Sequence, residues 1–236
     1  MAEEIVVTEV KATETKDVVG KAKDFWAKFS KPVIYVGSAV ILVAGGWLVY
    51  QNFIVAPKTA KANDAMFPAE RIFDKMTQAG FNADSINLVL NGGNGTTGVL
   101  KIASTYSGTA VADRAHLIAG ACYLHNKDFN NAVKQLEGFS TSATQIQSAA
   151  YSMLGDAYAE LKNNDAAFSN YKKAATVNEK DEFTAPDGFF KAALFADAIG
   201  KSSDAIELFQ KVKNNYPKSA PARDVDKYLA RLGALN

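Results

Sequence analysis

The sequence is poor in the residues that do chemistry. Among 236 residues there is one cysteine, Cys122, and there are two histidines, His116 and His125. A single thiol excludes an intrachain disulfide and any cysteine-rich metal site. Cys122 lies between Ala121 and Tyr123 in a helical pattern, which predicts a small buried thiol. The histidines stand nine apart on one predicted helix. That is about two and a half turns, so they face different directions. No His, Cys and carboxylate set has metal-ligand spacing. The expectation is a protein without catalytic residues, metal, cofactor or small-molecule substrate. A basic block is missing too: from Ala56 onward, 20 Lys or Arg stand against 19 Asp or Glu. That balance excludes a nucleic-acid surface.

Charge is absent altogether between Lys31 and Lys58. The run from Val33 to Tyr50 is almost wholly apolar and extends to Val55. A helix needs about 20 such residues to cross a hydrocarbon core of about 30 Å. A core helix is rarely apolar on every face over this length, and a signal peptide has a shorter apolar region and a shorter leader. Residues 32–56 are therefore predicted to be an uncleaved transmembrane helix in contact with the lipid bilayer. Tyr35, Trp47 and Tyr50 stand near its ends, where amphipathic rings settle at headgroup depth. Lys16, Lys21, Lys23, Lys28 and Lys31 precede it, and Lys58, Lys61, Arg71 and Lys75 follow; the nearer flank favours a cytoplasmic N-terminus. Gly37, Ser38, Ala44 and Gly45 put small residues on one face, where a second helix can approach. The plainer reading is that glycine is common in spans.

On either side the pattern changes. Residues 1–16 lack a helical period and read as a disordered leader. In 17–31, Val18, Ala22, Phe25 and Phe29 recur at helical spacing among lysines, which predicts an amphipathic helix on the membrane surface. Residues 57–98 read as linking helices and a glycine-rich turn. Ala62, Ala65, Met66, Ala69, Ile72, Phe73 and Met76 form an apolar stripe. Pro68 predicts a kink or break within it. Gly93, Gly95 and Gly98 satisfy the GxGxxG spacing, with Ile86–Leu90 as a candidate strand before them and Asp113 as an acid beyond. A dinucleotide fold needs a second parallel strand, and none follows; a turn between helices is the expectation.

From Val99 onward the chain repeats itself. Tyr151-x-x-Leu154-Gly155-x-x-Tyr158 is followed by Ala167-x-x-x-Tyr171. This is the pattern of the tetratricopeptide repeat. An earlier copy has Gly120-x-x-Tyr123 and Ala132-x-x-x-Leu136, and a later one has Ala193-x-x-Ala196 and Ala205-x-x-x-Phe209. Ala132, Ala167 and Ala205 are 35 and 38 residues apart. Each repeat should be two antiparallel helices whose small residues permit close approach and whose stacking buries what one repeat cannot bury alone. Polar turns are expected at 126–128, 163–165 and 200–203, and a final helix with Val225, Tyr228, Leu229 and Leu232 should cap 99–236. The fold class is all-α: one N-terminal transmembrane helix followed by a tetratricopeptide-repeat α-solenoid.

Helical geometry assigns the partner-binding groove to the first helix of each repeat. Its lining is Leu117, Ala121 and Leu124, then Ser152, Asp156 and Ala159, then Phe190, Leu194 and Asp197. Such a partly apolar, weakly acidic face suits an extended segment or amphipathic helix of a partner protein. Phe190 and Leu194 have a second reading, as packing against the adjacent repeat or the C-terminal helix.

The layout of leader, single span and divergent repeats resembles the bacterial YfgM-like ancillary subunits of the Sec translocon. The stretches Asn91–Gly98 and Tyr106-Ser-Gly-Thr109 resemble versions from the Bacteroidetes group. The resemblance implies an inner-membrane protein with periplasmic repeats, partnered by the translocon channel and a membrane-bound periplasmic chaperone or prolyl isomerase. The alternatives are a periplasmic envelope-assembly adaptor with a different partner and a cytosol-facing organelle import receptor.

Overall fold

A computed structural model describes Gly20, Lys23, residues 25–28, Lys31 and residues 34–235. The leader expected at 1–16 lies outside the described residues, as does much of the amphipathic segment at 17–31; its described positions are helical. The chain divides into two compact units, Met1–Pro57 and Lys58–Asn236.

In the first unit, residues 34–50 form helix α1, which passes into a π-helical turn, Gln51–Val55. Its apolar side chains stand exposed: Ile41, Leu42 and Val43 are each more than 70% exposed. This helix is long and apolar enough to cross a membrane. Gly37 and Gly45 face open space, and the Ser38 hydroxyl turns back to donate to the Tyr35 carbonyl at 3.0 Å.

The second unit is helical but for one small hairpin. Of the kink or break expected at Pro68, the break is absent: helix α2 (Ala56–Ala79) continues through it. Proline forfeits one backbone hydrogen bond. Here Ala62, Met66 and Ala69, spaced one helical turn apart, are fully buried on both sides of it. Burying Met66 alone contributes about 2 kcal/mol, so packing holds the helix together across the proline. The stripe joins Val89, Val99, Ile102, Ala115 and Cys122 in one apolar cluster. Residues 58–98 thus share a core with the helices after them.

Residues 86–90 are helical, within α3 (Ala83–Asn91), and not a strand. Asn82 caps α3, its side chain accepting from the Ser85 N–H at 2.9 Å. A two-stranded antiparallel hairpin follows, β1 (Gly92–Gly93) with β2 (Thr96–Thr97). Asn94 and Gly95, at φ 50 and 80, turn it. Positive φ at both central residues is what an Asn-Gly hairpin turn requires. A Cβ on Gly98 would fall 2.4 Å from the Asn91 carbonyl carbon. The glycine spacing is thereby explained by a hairpin between helices.

Then come α4 (Val99–Thr105), α5 (Ala110–His125), α6 (Phe129–Glu137), α7 (Thr144–Glu160), α8 (Asn164–Thr176), α9 (Thr184–Ala198), α10 (Ser202–Asn215) and α11 (Ala222–Arg231). Helices α5–α6, α7–α8 and α9–α10 are the three repeats. The first two pairs each close on a glycine opposite a large side chain. A Cβ on Gly120 would meet the Leu136 side chain at 2.5 Å, and one on Gly155 would meet the Tyr171 ring at 2.4 Å. Leu136 and Tyr171 are 35 residues apart, one repeat.

The turns inside the repeats also match. Lys127, Lys162 and Gly200 have φ of 58, 62 and 80. Each lies five residues before the key alanine of its repeat, Ala132, Ala167 or Ala205. After each, an N–H reaches back to close the helix: Asp128 to the Tyr123 carbonyl, Asn163 to Tyr158, Lys201 to Ala196, at 2.8–2.9 Å. That is a left-handed helix stop. The Asp128 and Asn163 side chains then cap the second helices, accepting from the N–H of Asn131 and Ala166. Such caps contribute about 1 kcal/mol each.

Candidate protein-binding face

The first helices α5, α7 and α9 place the nine predicted groove residues at equivalent positions, and all nine are half-buried. Between α5 and α7 lies a cavity of about 320 Å³. Ala121, Leu124 and Asp156 line it with His125, Phe129, Met153 and Glu160. Small side chains at 121 and on α7 leave the space that a larger residue would fill. Met153 and Phe129 supply its apolar wall; sequence reading left them out because Met153 is one position past Ser152 and Phe129 opens the second helix, α6. Leu117 is near a separate recess of about 270 Å³, with Ile118, Phe139 and Ile146.

The two carboxylates predicted on this face are both engaged. Asp156 of α7 accepts from the Tyr171 hydroxyl of α8 at 2.7 Å and from the Lys191 amine of α9 at 2.9 Å. The same amine lies 5.0 Å from the centre of the Tyr171 ring. Burial, then the bond to Asp156, raises the Tyr171 hydroxyl well above the usual phenol range. Lys191 is 35 residues beyond Asp156, so one cation ties repeat to repeat. Asp197 is paired with Arg231 of α11. The face is consequently less acidic than its residue list suggests.

At the third repeat the face is covered. The Phe190 ring packs edge-on against Phe209 at 5.6 Å and Tyr228 at 5.4 Å, and Phe209 and Tyr228 stack at 5.0 Å. Leu194 packs against the same apolar cluster. The C-terminal helix α11, which brings Tyr228 and Arg231, occupies the place a following repeat would take.

The remaining candidates separate. The His125 ring stacks on Phe81 at 3.5 Å, whereas His116 Nδ1 lies 2.9 Å from Gln135 Oε1. Cys122 is fully buried, and desolvation pushes its thiol up to about 12. A thiol that stays protonated is neither nucleophile nor metal ligand. Among the described residues no group of His, Cys and carboxylates is placed to hold a metal ion.

Models of the tetratricopeptide repeat match residues 148–181 and 187–219, the second and third helix pairs. The chain carries tetratricopeptide repeats. The first pair, α5–α6, has the same close approach and the same left-handed stop. The fold is similar to that of a solved structure described as the crystal structure of MamA protein, with a TM-score of 0.52 and 20% identity. The match covers 73% of this chain and 85% of that one. No curated protein is significantly similar in sequence. Tetratricopeptide domains bind other proteins, and the repeats indicate a protein-interaction scaffold.

Proposed function

We propose that the protein is a membrane-tethered scaffold whose repeats hold a partner protein in the α5–α7 cavity. The cavity carries the reading: an apolar socket flanked by polar groups, on the face where the repeats present their first helices. An extended segment or amphipathic helix inserts one apolar side chain between Leu124 and Met153. Helix α1 crosses the bilayer, with the N-terminus cytoplasmic and the repeats in the periplasm of a bacterial inner membrane.

Within this reading the scaffold is an ancillary subunit of the Sec translocon that brings a membrane-bound chaperone or prolyl isomerase to emerging clients. The order of leader, span and divergent repeats supports that assignment. The test is a mild-detergent pull-down from native membranes with an anchor-only control, partners quantified by mass spectrometry. Enrichment of the channel and a membrane-bound chaperone, reduced by Met153→Asp, is the expected result. Enrichment of outer-envelope assembly factors, or of no channel component, sinks the translocon role.

A further inference from the structure

A larger cleft lies away from the first-helix face, where the α8–α9 and α10–α11 connections meet. It measures about 540 Å³ and is lined by Glu182, Phe183, Asp187, Tyr216, Pro217 and Pro221, with Lys218 at its edge. Clefts that hold ligands measure about 300–1,000 Å³. Phe183, at its mouth, is 82% exposed. An aromatic side chain of that size left in water forgoes about 2 kcal/mol of burial.

The exposure does not come from a loose backbone. The Asp181 carboxylate accepts from the Phe183 N–H at 2.9 Å, from the Thr184 N–H at 3.1 Å and from the Gln145 amide at 3.2 Å. Tyr216 ties the other wall down: its hydroxyl donates to the Glu179 carbonyl at 2.7 Å and its ring stacks 6.0 Å from Phe189. Pro217 and Pro221 fix φ and have no N–H to offer. The cleft is therefore preformed, and its walls are aromatic rings and proline rings. Charge is lopsided as well, with two carboxylates, Glu182 and Asp187, against the single amine of Lys218. Burial raises the Asp187 carboxyl above its ordinary range, so a cation brought alongside gains from it.

We propose that this cleft is a second docking site, which takes an extended peptide segment of another protein presenting an apolar side chain next to a lysine or arginine. Rigid aromatic walls suit extended backbones because little ordering remains to be done on binding. The carboxylates choose the basic neighbour and reject an acidic one.

The test uses the full chain in detergent micelles and a phage-displayed library of random short peptides, with affinities of the enriched peptides measured by fluorescence anisotropy. Enriched peptides should pair an apolar residue with Lys or Arg. Phe183→Ser and Glu182→Lys should each weaken them about tenfold with an unchanged circular dichroism spectrum, and Met153→Asp should leave them unaffected. Enrichment of acidic peptides, binding indifferent to Phe183→Ser, or no enrichment at all overturns the proposal. A self-association in sedimentation that Phe183→Ser abolishes also overturns it, by assigning the cleft to a second copy of the chain.

Discussion

The second and third repeats place their side chains at the same positions and put them to different uses. Ser152 and Phe190 are equivalent, as are Asp156 and Leu194, and Ala159 and Asp197. In the second repeat this face is polar and borders an open cavity shared with α5. In the third, Phe190 is caught between Phe209 and Tyr228, and Asp197 is paired with Arg231. The difference comes from the next element of the chain. A repeat inside a stack meets another repeat, whereas the last one meets α11, whose Val225 and Leu229 are buried in the terminal cluster. A first-helix position at the end of a solenoid packs, partly buried, against the capping helix that closes over it.

The sharpest way to break the comparison is to place a charge at both equivalent positions. Phe190→Asp strips an aromatic cluster and buries a carboxylate there. It should cost about 3 kcal/mol or more. Ser152→Asp, beside the open face, should cost less than about 1 kcal/mol. Urea denaturation followed by circular dichroism measures both. Equal losses would mean that the second-repeat face is packed like the third.

Next in size is the small residue of each first helix. Gly155 faces the Tyr171 ring at a distance that admits no Cβ, while the third repeat already has Ala193 at that position, fully buried. Gly155→Ala should therefore destabilise by about 2 kcal/mol through overpacking. It should also weaken the bond from Tyr171 to Asp156, since the ring must move. A midpoint of denaturation equal to the parent's would show that α7 and α8 have room to separate.

The smallest effect sits at the left-handed turns. Gly200→Ala should cost about 1 kcal/mol, because a side chain there opposes the positive φ. Lys162→Gly should give back about 0.5 kcal/mol, relief of strain offset by the greater freedom of glycine in the unfolded chain. Opposite signs in matched thermal melts are the expected outcome. A gain from both substitutions would contradict the left-handed conformation at Gly200.

The repeats were legible because their signal is local and recurs. The alanine spacing, the small residues opposite large ones and the polar turns all arise from two helices having to touch at short range. Pro68 does not break its helix because a local rule about proline says nothing of Met66 and Ala69, whose burial depends on residues from α3 to α5 in the same cluster. The glycine-rich stretch around Asn94-Gly95 was legible as a turn between helices, whereas its hairpin pairing emerged only in the structure.

By itself the sequence determined that this chain is helical, repeats about every 35 residues, and has an uncharged segment long enough to cross a membrane. Periodicity, glycine placement and the absence of charge are properties of neighbouring residues, and one-dimensional order records them. Only the tertiary structure decided which residues of the first-helix face remain open, that Asp156 and Asp197 are neutralised by Lys191 and Arg231, and that Phe183 stands exposed beside a preformed cleft. The two ion pairs join residues 35 and 34 apart in the chain. Burial there is set by what the rest of the chain brings to each surface.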